Sequence, residues 1–336
     1  MRYFRRGAVV ATATGLVVAI ATVPSGAAAV RAHAASCARA TNIEAIIDDS
    51  GSMAFTDPNR LRVEGLDLLI NSLSPGTVLG AVEFGGNFVS SSTPAADTVF
   101  APQAVGANAN AMKVALNQKI HADNGGTDYN AAFAKSDADN PTASARIFLT
   151  DGGHDVGSYD NGHLLHRVPT YVIGFSQGIS GLVNQARLKG IASDTGGKFY
   201  RLTDSSQLQS VINSIGAALT CTSPPKTFTD TLAKGRSKAH AVALGRATRS
   251  VQIALTWANP KDAFTVFGLK LRNHGRTIAT GARVKRLAVK RSVGSTFLLL
   301  KVTGLRKGTL QFRVKATRVR SGGAKVRLTS QVSQRR

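Results

Sequence analysis

The feature that most constrains this chain is a change of hydrophobic period near Cys221. Before it, short apolar runs alternate with segments spaced for amphipathic helices. After it, helical spacing disappears and apolar and polar residues alternate in twos. Two packing solutions therefore follow one another, and 336 residues are enough for both at roughly 100–200 residues per core.

Residues 42–48 form a nearly continuous apolar run ending in carboxylates, which predicts a strand buried on both faces. Residues 59–73 place Leu61, Leu66, Leu69, Ile70 and Leu73 at helical spacing. Further strands are predicted over 77–84, 145–150, 170–175 and 198–201, and helices over 109–120, 129–138, 179–193 and 205–219. This alternation predicts an α/β fold, a doubly wound, mostly parallel, Rossmann-like sheet whose ligands belong at the carboxyl ends of its strands. Beyond the linker signal Ser223-Pro224-Pro225, strands are predicted over 239–244, 250–257, 263–271, 276–280, 283–289, 296–302, 309–316 and 324–329. Alternation is clearest in Val251-Gln252-Ile253-Ala254-Leu255, and the set predicts an all-β sandwich over 222–336.

Charge divides the chain at the same place. Residues 38–220 carry 12 Lys and Arg against 17 Asp and Glu, whereas residues 221–336 carry 26 against 2. The second part must attract polyanions.

The first 34 residues read as a signal peptide. Arg2, Arg5 and Arg6 precede an uncharged apolar run from Gly7 to Val23, and Ala27-Ala28-Ala29 or Ala32-His33-Ala34 offers a cleavage site. The apolar run is about 15 residues, short of the roughly 20 that a span needs, and no later run reaches that length. The expectation is an exported protein, secreted or held at the cell envelope, with no transmembrane segment after signal removal. Only Cys37 and Cys221 are present, and an oxidising compartment favours a disulfide between them. The alternative, a lipidated Cys37, lacks the usual leucine three places earlier.

Asp48-Asp49-Ser50-Gly51-Ser52 follows the first predicted strand, Gly125-Gly126-Thr127 precedes a helix, and Thr150-Asp151-Gly152 ends another strand. Hydroxyls and carboxylates from three loops at one sheet edge can present hard oxygens to a single cation. Few carboxylates and several neutral oxygens suit Mg²⁺, or less selectively Mn²⁺ or Ca²⁺, and leave positions for water or a partner's oxygen.

At these residues the sequence resembles the von Willebrand factor A family over roughly residues 41–219. Asp48-x-Ser50-x-Ser52, Thr127, and Asp151 within Phe148-Leu149-Thr150-Asp151-Gly152 match that family's metal-ion-dependent adhesion site. The resemblance implies a metal-binding domain over 37–221, with Ser50 and Ser52 as direct ligands. Thr127 would bind directly or through water, and Asp48 and Asp151 mainly through water. It also implies a fold that brings its chain ends together, in keeping with a Cys37–Cys221 bridge. The implied function is divalent-cation-dependent protein binding, adhesion or scaffolding, in which the open metal takes a partner's Asp or Glu.

Gly174-Phe175-Ser176-Gln177-Gly178 fits the nucleophile-elbow pattern, so a secreted serine hydrolase, or an accessory subunit of an extracellular enzyme, is the alternative. The only later histidines, His240 and His274, lie in the basic part, which argues against a catalytic triad and for a protein that is not an enzyme. His154 lacks evident companion ligands for zinc, and Trp257 at a strand end reads as core. Export and the absence of zinc-finger or aromatic RNA-binding patterns argue against nucleic acid as the basic part's partner and for an anionic cell-wall polymer or surface.

Overall fold

The run Ile43, Ala45, Ile46 and Ile47 is buried because β1 (Asn42–Asp48) lies inside a sheet with apolar layers on both faces. The computed structural model describes residues 40–85, 95–121, 125–160, 162, 168–175, 184–202, 207–220, 226–273, 276–279, 288–320 and 322–334. Around β1 stand β2 (Val78–Phe84), β3 (Ala96–Ala104), β4 (Ala145–Thr150), β5 (Thr170–Phe175) and β6 (Lys198–Leu202), in the order β3-β2-β1-β4-β5-β6. All neighbours are parallel except β2 and β3. Strand order reverses direction between β1 and β4, so the crevice above their carboxyl ends is the switch point where such sheets take ligands.

The helices are α1 (Met53–Thr56), α2 (Leu61–Ser72), α3 (Val105–Lys119), α4 (Tyr129–Asp139), α5 (Gln185–Asp194) and α6 (Leu208–Leu219). Leu66, Leu69, Met112, Leu116, Ile212 and Ile215 cover one sheet face with α2, α3 and α6. Tyr129, Phe133, Leu188 and Ile191 cover the other with α4 and α5. This is the doubly wound α/β fold that the alternation of runs predicts.

The basic part is the predicted sandwich. It comprises β7 (Lys226–Leu232), β8 (Ser237–Leu244), β9 (Thr248–Thr256), β10 (Ala263–Asn273), β11 (Arg276–Ala279), β12 (Ala288–Val293), β13 (Phe297–Thr303), β14 (Gly308–Arg318) and β15 (Ala324–Gln334). A four-stranded sheet, β11-β10-β14-β8, faces a five-stranded one, β12-β13-β9-β15-β7, and all pairs are antiparallel. Their inner faces meet in one core that includes Val251, Ile253, Leu255, Leu271, Phe312 and Val314. Trp257 is 4% exposed and tilts against Phe264, a core residue as expected.

Three expectations need correction. Strands β3 and β7 were not foreseen; both are edges, and β7 exposes five of its seven residues, so neither carries a buried run to announce it. The helix expected over 179–193 starts at Gln185, capped by Asn184 accepting from the Arg187 amide at 3.1 Å, and residues 179–183 lie outside the described residues. Third, the Cys37–Cys221 disulfide is withdrawn. Among the described residues there is no disulfide, and both cysteines lie outside them. What joins the two ends of the α/β fold is a backbone hydrogen bond, Ala40 N–H to Leu219 O at 3.0 Å.

The two parts pack on one another within a single compact unit, residues 37–336. Leu68 of α2 is buried against Ala254, Phe297 and Leu299 on the outer face of the five-stranded sheet. Beside it, Ser295 donates to Glu64 Oε1 through its hydroxyl at 2.6 Å. No helix among the described residues is long and apolar enough to cross a membrane, and the expected signal segment lies outside them.

Candidate cation site

β1 delivers Asp48 to the switch point, and the chain then turns back over the sheet edge. Asp48 Oδ1 accepts from the Ser50 amide at 2.9 Å, which shapes the turn, and its Oδ2 accepts from the Thr150 hydroxyl of β4 at 2.6 Å. The Ser50 and Ser52 hydroxyls are 3.1 Å apart, and Ser52 donates to Asp151 Oδ1 at 2.8 Å. Thr56, in α1, donates to the other Asp151 oxygen at 2.5 Å. Four of the five residues singled out from the sequence are thus linked directly or through Thr150.

The fifth, Thr127, arrives on its own loop. The Gly51 amide donates to Gly125 O at 3.2 Å, tying that loop to the first turn. The Thr127 amide donates to Asp155 Oδ1 at 2.7 Å, and the Asp155 amide returns a bond to Thr127 O at 3.1 Å. Its hydroxyl makes no hydrogen bond among the described residues and lies 3.4 Å from where a β-carbon on Gly152 would stand. Downstream, the Tyr129 amide donates to His154 Nδ1 at 3.1 Å and the Tyr129 hydroxyl to Gly152 O at 2.6 Å. His154 therefore braces the loop as an acceptor.

Electrostatics make the crevice ready for positive charge. Asp48 and Asp151 are both buried. Burial raises the pKa of both, and the Asp151 charge pushes Asp48 further up. For Asp151, hydrogen bonds from Thr56 and Ser52 and the charge of Arg62 oppose that rise. The donor set of two mutually repelling carboxylates, two adjacent serine hydroxyls and an uncommitted threonine hydroxyl fits a hard divalent cation. It is not a cluster of charged ligands: among the described residues no group of three or more His, Cys, Asp or Glu could hold a metal, which corrects the expectation of a metal-binding domain over 37–221.

Sequence reasoning passed over the residues that hold these loops. Arg62, fully buried, reaches Asp49 Oδ1 at 2.6 Å and Asp57 Oδ2 at 3.2 Å. Asp57 also accepts from the Leu61 and Arg62 amides at 2.7 and 2.9 Å, capping α2, while Asp49 Oδ2 accepts from the His121 amide at 2.8 Å. Nothing in the sequence sets Asp49, Asp57 and Arg62 apart, since they stand among Ser50, Ser52, Thr56, Asn59 and Arg60 in a polar stretch. Gly85, at φ +145°, closes the back of the turn; a β-carbon there would lie 2.4 Å from the Ser50 amide nitrogen. Gly85→Ala is expected to displace the turn and to cost about 2–3 kcal/mol. Urea denaturation checks this, and a loss below ~1 kcal/mol would show that the turn yields freely.

Of the other sequence candidates, Ser176 lies outside the described residues, as does His274. His240 is buried in the sandwich with Nε2 2.7 Å from Asp230 Oδ2.

No known family's sequence profile matches the chain, and no curated protein matches it significantly. Solved structures with similar folds include a von Willebrand factor type A protein from Catenulispora acidiphila, at 17% identity and TM-score 0.45 over 87% of this chain and 64% of that one. Another is proximal thread matrix protein 1 from the mussel byssus, at 16% identity and TM-score 0.43 over 58% of this chain and 50% of that one. A third is the pilus adhesin SpaC from Lactobacillus rhamnosus GG, at 12% identity and TM-score 0.42 over 88% of this chain and 44% of that one. The chain thus spans between 44% and 64% of the length of these proteins. Likenesses this distant identify no function, and the α/β fold rests on the chain's own strand order.

Proposed function

We propose that this chain is an exported protein-binding or scaffold protein that captures an Asp or Glu side chain of a partner through a divalent cation. The residues that would hold the cation, Mg²⁺ or alternatively Mn²⁺ or Ca²⁺, are Asp48, Ser50, Ser52, Thr127 and Asp151. When bound, it would supply concentrated positive charge with coordination positions left for a partner's carboxylate. One observation carries the reading: two buried carboxylates, with the Asp151 charge hindering ionisation of Asp48, meet the Ser50 and Ser52 hydroxyls at the switch point. In this reading the chain's own groups orient and exclude. Thr150 fixes the Asp48 carboxylate, Thr56 fixes that of Asp151, and the loop bonds of Asp155 and Gly125 bring Thr127 to the crevice.

Binding is preferred to hydrolysis because His240, the one described histidine after Ser176, is buried in the sandwich together with Asp230. The sandwich, with 26 basic and 2 acidic residues over 221–336, supports a second role, holding the protein at an anionic cell-wall polymer or surface.

Calorimetric titration of the metal-free protein with MgCl₂ or MnCl₂ tests the first role. One site is expected, weakened at least about tenfold by Asp151→Ala or Ser52→Ala and unaffected by Asp97→Asn on the exposed edge. Absence of binding, or equal binding by all variants, refutes the cation site.

A further inference from the structure

A sandwich has two outer faces, and here they differ. The five-stranded sheet turns its outer face to α2 and α6, where Phe297, Leu299 and Ala254 are covered. The four-stranded sheet is left with the sandwich's open face. Cross-strand register fixes what that face presents. Arg313 stands opposite Phe267 on one side and Ala239 on the other, Lys315 opposite Thr265 and Ser237, and Gln311 opposite Lys270 and Ala241. Arg272 follows two residues after Lys270, opposite Thr309. The alternate residues Leu269, Leu271, Leu310, Phe312 and Val314 point inward to the core.

Lys270, Arg272, Arg313 and Lys315 are all exposed on this one face, and Phe267 among them is 41% exposed. None forms an ion pair among the described residues. Only two carboxylates exist in residues 221–336, Asp230 and Asp262; both are buried, and Asp230 is engaged by Lys238 and His240. Arg313 is steadied by the Ser237 hydroxyl at 3.0 Å, which leaves its charge uncompensated. Beside the cations runs a strip of small exposed residues, Ala239, Ala241 and Ala243 of β8, which lets a chain-like ligand lie close to the sheet. Along each strand the cations repeat every second residue, about 6.6 Å apart, and the two cationic strands lie about 4.8 Å apart.

The geometry points to the outer face of the four-stranded sheet as a docking surface for a linear phosphodiester polymer. The inference rests on the polyanion reading of the sandwich and not on the cation site. By this register the cations follow one another along the face, Arg272 and Lys270 on one strand and then Arg313 and Lys315 on the next, across an irregularity between Phe267 and Lys270, so that they meet successive phosphates of an extended chain, with Arg offering its fork and Lys a point charge. The exposed aromatic gives the polymer's linking carbons something to lie on. An anionic membrane is less well matched, since Phe267, the one exposed ring among the described residues of this sheet, offers little to insert.

The test measures binding of the full chain to a synthetic glycerol-phosphate oligomer, with EDTA present throughout so that the cation site does not contribute. The variant Lys270→Gln/Arg313→Gln is compared with Arg246→Gln/Arg306→Gln, which removes the same charge from exposed turns. Thermal unfolding of each confirms intact folding. The face variant is expected to bind at least about tenfold more weakly at 150 mM salt and to lower the log–log salt slope by about one or more, while the turn variant changes affinity less than about twofold. Equal losses in both variants would overturn the face and leave the polyanion reading standing. No binding by the unaltered protein would overturn both. Tighter binding to hyaluronate, dextran sulfate, single-stranded DNA or phosphatidylglycerol vesicles than to the oligomer would overturn the choice of partner.

Discussion

Replacing Arg62 with alanine is expected to destabilise the protein by about 3–5 kcal/mol. The guanidinium is wholly enclosed and bridges Asp49 and Asp57, both buried themselves. Removing it takes the bridging charge from two enclosed carboxylates and leaves them the more distant field of Arg60. Asp57 would keep two backbone amides and Asp49 one, which limits the loss without cancelling it. Arg62→Lys should recover only part, because a single ammonium cannot bridge both carboxylates with a planar fork. Urea denaturation at pH 7 reads the effect. A change within ~1 kcal/mol for Arg62→Ala would mean that the two carboxylates are solvated on opening, and that the enclosed triad does not hold the turn.

Glu44 should make the protein less stable as pH rises. It stands on β1 and is fully enclosed; Asn140, at the end of α4, donates to its Oε2 at 2.9 Å, and its Oε1 has no hydrogen-bond partner among the described residues. Burial pushes its pKa up to about 8, with the Asn140 bond and the Arg146 charge only partly opposing the rise. Between the ordinary value of 4.5 and about 8, the folded chain holds a proton that the unfolded chain has released. The stabilisation from the neutral form is complete below 4.5 and is lost as pH climbs through about 8. Glu44→Gln keeps the shape and removes the titration. At pH 8.5 it is expected to exceed the unaltered protein by on the order of 2–4 kcal/mol, a gain trimmed by the counter-charge that Arg146 loses there, and by far less at pH 5, where Glu44 is already neutral. Denaturant midpoints across pH 5–9 check the slope, and parallel curves for the two proteins would contradict it.

How much of this was legible in the sequence depends on what each residue's role needs. Asn42–Asp48, Ala145–Thr150 and Thr170–Phe175 are read to the residue because strands buried on both faces are mostly apolar, with Glu44 and Arg146 as buried exceptions. Edge strands escape the same logic, since Lys226–Leu232 faces water along most of its length. At the site, oxygen-bearing residues on three loops declare themselves by following strand ends. Their supports do not. Thr56 and Thr150 are ordinary threonines until the fold places them on Asp151 and Asp48, and Arg62 looks like the wet side of an amphipathic helix. A charge buried by tertiary packing has no periodicity to betray it. The seam between the two parts was equally silent, because Phe297 and Leu299 occupy the phase that alternation assigns to solvent. They are apolar there because a helix covers them.

That seam decides how the molecule can be dissected. Cutting the chain at the period change would leave an α/β fragment with Leu68 uncovered and a sandwich fragment showing Phe297, Leu299 and Ala254 on a flat sheet. The second fragment would carry a greasy patch on one side and unbalanced cations on the other. Such a piece is prone to self-association and to indiscriminate adsorption during purification. Stickiness of the isolated sandwich would therefore report the missing helix rather than the native surface.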